Sequence, residues 1–172
     1  MVKKVILWCA VILVSCQIFG FSSKTAAESS GLSSEIAEKV VKIIEKVIEP
    51  SDSKKEEIFS SVHFLIRKSA HFCEFTLLAI LVFFLARSYK LSIFLCILIA
   101  LGYSLLFAVS DEVHQLFVDG RSGQITDVLV DFAGSMFGAG ISFLCLKVFD
   151  RKWFILFLTN CSYQCKKYNL LY

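Results

Sequence analysis

Four apolar runs, each close to the length of a bilayer-crossing helix, decide what this chain can become. A helix needs roughly 20 mostly apolar residues to cross the hydrocarbon core of a membrane. The runs cover about residues 5–21, 64–86, 91–109 and 128–149, and the third contains no charge. Lipid offers an exposed backbone no hydrogen-bond partner, so only helices and closed barrels cross it, and runs this long fit helices. The expected fold is all-α, a polytopic membrane helix bundle with about four transmembrane helices. Composition agrees: 56% of residues are hydrophobic, against about 45–50% in soluble domains. The formal net charge is only +3, with bases interleaved among acids, which excludes a nucleic-acid-binding footprint.

The segments around these runs are polar. Lys3-Lys4 precede the first one. Leu13-Val14-Ser15-Cys16 looks like a lipobox, which would place a lipid on Cys16 after cleavage. The apolar run continues through Ile18-Phe19-Gly20-Phe21, a poor start for a mature lipoprotein, so a retained helix is expected. Beyond a polar connector, residues 33–49 read as an amphipathic helix in the first outer loop. Ser33-Ser34 offers an N-cap, with Glu35 and Glu38 in the first turn. Ile36, Val40, Ile43 and Val47 form an apolar stripe, Glu35/Lys39 and Glu38/Lys42 pair on the other face, and Pro50 stops the helix. Such a helix lies on the membrane, covers the bundle, or packs as a solvated helix on its own domain.

Residues 1–149 form the expected membrane domain and 150–172 a basic, partly interfacial tail. Within that tail Trp153–Leu158 is too short to cross a bilayer and, being aromatic, belongs at its interface. Lys3-Lys4, the Arg87/Lys90 turn and Arg151-Lys152 all fall on the cytoplasmic side if both termini are cytoplasmic. The seven cysteines have neither framework nor zinc-ligand spacing and read as structural or incidental.

Between the third and fourth runs sits a dense polar patch: Asp111-Glu112-Val113-His114-Gln115, Gly120-Arg121-Ser122-Gly123, and Asp127 to Asp131. A bilayer penalises such groups unless they lie at its surface or are buried among partners, so function is expected here. In the proposed topology the patch meets the start of the second span on one side of the membrane. Arg67, His71 and Glu74 share a helix face, as do Asp111, His114 and Gln115. Asp127 and Asp131 continue into Gly134 and Gly138, placing two carboxylates above a G-x-x-x-G surface that admits a neighbouring helix closely. Arg67, Lys68 and Arg121 are the natural counter-charges, and the Arg121 guanidinium suits bidentate bridging of carboxylates.

These motifs together resemble the VanZ family of bacterial membrane proteins. The likeness rests on Phe21-Ser22-Ser23, Arg67-Lys68-x-x-His71-Phe72-x-Glu74-Phe75, Ser110-Asp111-Glu112-x-His114-Gln115, Gly120-Arg121 and Asp127-Val128-x-x-Asp131-x-x-Gly134. It runs from the first helix to about Phe149 and leaves out the stretch after Arg151. Lys24 stands where the family pattern has glutamine, and Phe75 where tyrosine is common. Neither replaces a charged residue of the pattern. The resemblance implies an envelope protein linked to low-level resistance to the glycopeptide teicoplanin.

The expected functional cluster is Arg67, His71, Glu74, Asp111, Glu112, His114, Gln115, Arg121, Asp127 and Asp131. In a binding protein, Arg67 and Arg121 hold an anionic group or the carboxylates while Gln115 orients a polar ligand, either a membrane lipid headgroup or a cell-wall precursor. The alternative is a membrane-embedded hydrolase or transferase acting at the outer leaflet, with His71, Glu74, His114 or Asp131 in proton transfer. The acids and imidazoles are also ligand types for a divalent metal. Asp-Glu-x-His-Gln is not H-E-x-x-H, however, and the two histidines come from different helices, so a salt-bridge network is expected and no metal or cofactor. No nucleophile elbow or P-loop is present.

Overall fold

The computed structural model describes residues 1–23, 39–43, 52–119 and 123–167, with side chains from residue 54 onward in the second long helix and up to residue 148 in the last. Four long helices carry the fold: α1 (Val2–Ser22), α2 (Asp52–Ser88), α3 (Ile93–Gln115) and α4 (Ile125–Lys167). All four are long and apolar enough to cross a membrane, and no strand occurs among the described residues. α2 lies at the centre, packed against α1, α3 and α4; α3 also packs on α4, and α1 more lightly on α3.

The helices outrun the apolar stretches that announce them. At 1.5 Å per residue α2 is about 55 Å long, nearly twice the thickness of a hydrocarbon core. Its first turns carry Lys54, Lys55, Glu56 and Glu57, good helix formers with no break before the membrane run. α3 carries the polar patch on its last turns and ends at Gln115. α4 continues without interruption through Trp153–Leu158 to Lys167, so the stretch expected at the membrane interface is helical and continuous with the fourth span. The expected helix over 33–49 lies mostly outside the described residues. Its described part, 39–43, is helical and buries Val41 while Ile43 is exposed. The inward face there is rotated from the Ile36/Val40/Ile43/Val47 stripe.

The turn from α2 to α3 is tight. Lys90 takes a left-handed conformation (φ 62°), and the Tyr89 and Lys90 amides donate back to the Ala86 and Arg87 carbonyls. Ser92 then caps α3, its hydroxyl accepting from the Leu95 amide at 3.3 Å.

Packing is inverted relative to a soluble bundle. The core joins Val11, Val14 and Ile18 of α1 to Phe75, Leu78, Val82 and Phe83 of α2. The buried stripe of α3 is Cys96, Ala100, Ser104 and Ala108, small residues that bring helices close, and it ends in Asp111, Glu112 and Gln115. The large apolar side chains of α3 face outward instead: Phe94 and Leu106 are 73% and 74% exposed. A soluble protein rarely leaves such a surface bare, whereas a bilayer solvates it.

The closest helix contact is α2 on α4. A Cβ added at Gly134 would collide with the Phe72 carbonyl oxygen, and one at Gly138 with that of Thr76. The Thr76 hydroxyl contacts both the Phe72 carbonyl (2.7 Å) and the Gly134 carbonyl across the interface (2.9 Å). The G-x-x-x-G surface therefore meets α2, directly below the acids of α4.

Candidate functional site

The geometry of the core gathers one end of the bundle into a polar cluster. α2 contributes Arg67, Lys68, His71 and Glu74; α3 contributes Asp111, Glu112, His114 and Gln115; α4 contributes Asp127 and Asp131. α1 closes the cluster with Ser22 and Ser23.

Asp111 is wholly buried and anchors the α1–α3 side. Its Oδ2 accepts the Ser22 hydroxyl at 2.6 Å and the Gln115 amide at 3.0 Å, and the same amide reaches Ser22 at 3.3 Å. Gln115, only 1% exposed, is thus engaged inside the bundle rather than presented to a ligand. His114 stacks on Phe19 with ring centroids 4.2 Å apart, and its Nε2 lies 3.0 Å from the Ser23 hydroxyl. The imidazole fastens the end of α1 to the end of α3.

On the α3–α4 side, the buried Glu112 accepts the Gln124 backbone N–H at 2.8 Å, which ties the start of α4 to the end of α3. Gly123 sits so tightly there that a Cβ would press on Leu116 and the Glu112 carbonyl. Asp127, in the first turn of α4 where the helix dipole favours an acid, forms an ion pair with Lys68 and accepts from Thr126. Lys68 thereby staples α2 to α4.

Asp131 differs from its neighbours. It is 1% exposed, and neither carboxyl oxygen has a hydrogen-bond partner among the described residues. The His71 Nδ1 faces it at 3.8 Å, beyond hydrogen-bond length. Glu74, Asp111, Glu112 and Lys68 lie within electrostatic reach of it, and Glu74 also feels Asp111. Arg67 and Lys68 act on Glu112 from the α2 side. A buried carboxylate without a donor is costly, by about 1–3 kcal/mol on mutational scales. Asp131 is therefore a fully buried acid of the cluster left wanting a donor.

Nine of the ten residues expected from the sequence come together at this end. The tenth, Arg121, lies with Gly120 and Ser122 outside the described residues. The expected counter-charge role falls in part to Lys68, through Asp127. No group of three His, Cys, Asp or Glu among the described residues is arranged to hold a metal ion. Ser22 and Ser23 were not expected in the cluster. Their only signal was their place in the Phe21-Ser22-Ser23 motif, since a serine pair at the end of an apolar run usually marks nothing more than the edge of a span.

No curated protein and no solved structure matches this chain. A family model does: the VanZ/LLP1 model matches residues 7–146, from the second turn of α1 through the membrane-crossing part of α4. That span holds every residue of the cluster and the glycine contact beneath it, and the chain belongs to the VanZ/LLP1 family.

Proposed function

We propose that this chain is a multi-pass protein of the bacterial cell envelope whose polar end faces outward and binds a lipid headgroup or cell-wall component. Both termini are then cytoplasmic, with Lys3-Lys4, Arg87 and Lys90 on the inner side. Occupancy of the pocket lowers the access or affinity of teicoplanin-type glycopeptides for their target.

The observation that carries this reading is the gathering of Glu74, Asp111, Glu112, Asp127 and Asp131 with Arg67 and Lys68 at one end of a bundle that is otherwise apolar. Such a cluster is expensive in a membrane, and the buried Asp131 accepts no hydrogen bond from any described residue, which supports a ligand as its reason. Arg67 and Arg121 supply the anion-facing part of the pocket. Family membership supports the link to glycopeptide resistance.

Teicoplanin susceptibility tests it. Cells expressing the chain should tolerate more antibiotic than cells without it, and His114→Ala at matched membrane levels should remove the gain. Identical sensitivity with and without the chain would eliminate the resistance link. A membrane-embedded hydrolase or transferase is the alternative, supported by the His71 imidazole facing the Asp131 carboxyl. It requires Glu74→Gln and His114→Asn to abolish the phenotype at normal membrane levels, and retained activity in both excludes it.

A further inference from the structure

Asp131 and its surroundings narrow the ligand chemistry. Five carboxyls (Glu74, Asp111, Glu112, Asp127 and Asp131) share this end of the bundle with the cations of Arg67 and Lys68, and Lys68 is committed to Asp127. The balance among the described residues favours an incoming cation. The acceptors are also unevenly used: Asp111 takes two side-chain donors and Glu112 a backbone N–H, while the buried Asp131 oxygens take none. What Asp131 lacks is a donor, and a charged one is worth about twice a neutral one.

An apolar groove borders the cluster at Glu112. Between the end of α3 and the start of α4 runs a groove of about 290 Å³, walled by Val109, Val113, Leu116, Ile125 and Val128, with Glu112 the one acid in its lining. The walls are apolar and the Ile125 and Leu116 side chains are largely exposed, so the groove accepts the hydrocarbon part of an amphiphile. An acid in the lining of an apolar groove, within electrostatic reach of the buried Asp131, selects a molecule that is greasy at one end and cationic at the other.

We propose that the pocket receives the primary ammonium of a membrane aminolipid, with Asp131 accepting its N–H and the chains lying along the α3–α4 groove past Glu112. Arg67 on the neighbouring face of α2 meets the headgroup phosphate. The inference rests on the pocket proposed above and names what fills it. A primary ammonium supplies three donors and a charge. A quaternary ammonium has the charge without N–H, and a glycerol headgroup has hydroxyls without the charge.

The test uses the purified full-length chain in detergent micelles and four probes: short-chain phosphatidylethanolamine, phosphatidylcholine and phosphatidylglycerol, and free phosphoethanolamine. Dissociation constants are read by native mass spectrometry. Phosphatidylethanolamine should bind roughly tenfold or more tightly than the other two lipids, the size of one charged hydrogen bond gained. Free phosphoethanolamine should bind far more weakly, because it has no chains for the groove. Asp131→Asn should reduce phosphatidylethanolamine to the phosphatidylcholine level, and Glu112→Gln should weaken it with Asp131 intact. Thermal melting of each variant checks folding, and the comparison of lipids on the unaltered chain needs no variant.

Equal binding of the three lipids, or an undiminished preference in Asp131→Asn, overturns the ammonium site. Free phosphoethanolamine binding as tightly as the lipid overturns the lipid source. Saturable phosphatidylglycerol binding that is lost in Arg67→Ala, without any preference for the aminolipid, refutes this inference and leaves the pocket standing. No saturable binding of any probe overturns this inference and removes the lipid headgroup from the proposed function, leaving only a cell-wall component for the pocket.

Discussion

At one end of the bundle the Trp8 indole donates to the Tyr89 hydroxyl at 3.0 Å and Lys4 sits 4.0 Å above the Tyr89 ring. At the other end Ser22, Asp111, Gln115, Glu112, Lys68 and Asp127 link all four helices through buried or half-buried contacts. The aromatic end is exposed, and amphipathic rings with polar tips suit the membrane–water interface without needing one another. The acid end has no such substitute, because the carboxyls of Asp111, Glu112 and Asp131 are buried there. The first end anchors the bundle in the bilayer. The second holds groups that packing alone would replace with apolar ones, and this asymmetry is why function is assigned to it.

The largest expected effect lies below the acid end, where α4 touches α2 backbone to backbone. Gly134→Val would drive a branched side chain into the Phe72 carbonyl and force the helices apart. The cost should be about 3 kcal/mol, at the upper end of the overpacking range, with loss of the Thr76–Gly134 hydrogen bond. Thermal unfolding of the full chain in detergent measures it, and an unchanged melting temperature would mean the two helices do not meet through this glycine. Ser22→Ala comes next. It takes one donor from the buried Asp111 and loosens the end of α1, at about 1–2 kcal/mol.

Asp131→Asn sharpens the contrast by having the opposite sign. Its carboxyl has no hydrogen bond among the described residues, so removing the charge without changing the shape should raise stability by about 1 kcal/mol. A substitution that stabilises the bundle while weakening ligand binding is the signature of a group kept for a task other than folding. A fall in melting temperature would show that Asp131 is held by contacts that stabilise the fold.

How far the sequence led differs between these same regions. The four spans were legible because hydropathy and length are properties of contiguous residues. Their true ends were not, because a helix does not stop where lipid stops. Residues 141–167 contain neither glycine nor proline, so α4 has no reason to break at Phe149. Spacing also placed Arg67, His71 and Glu74 on one face and Asp111, His114 and Gln115 on another. It did not say which partner each would take. That Lys68 meets Asp127, or that Ser22 rather than an arginine satisfies Asp111, depends on the relative rotation of helices whose contacts are set by Gly134, Gly138 and the small stripe of α3. Gln115 illustrates the gap: its amide was expected to face a ligand, and it closes the α1–α3 joint instead.

The smallest expected effect tests the aromatic end. Trp8→Phe keeps an aromatic ring and removes only the N–H that reaches Tyr89. Both residues are about half exposed, so water or lipid headgroups can take over the freed hydroxyl, and the loss should be about 0.5 kcal/mol or less. Trp8→Ala should cost more, because Trp8 also covers an apolar hollow of about 220 Å³ lined by Val11, Val82, Leu85 and Tyr103. The two variants together separate hydrogen bonding from ring burial. If Trp8→Phe alone destabilised the chain as much as Ser22→Ala, the indole hydrogen bond would be as structural as the buried one at Asp111. The division of the bundle into an anchoring end and a proposed ligand-binding end would then lose its physical basis.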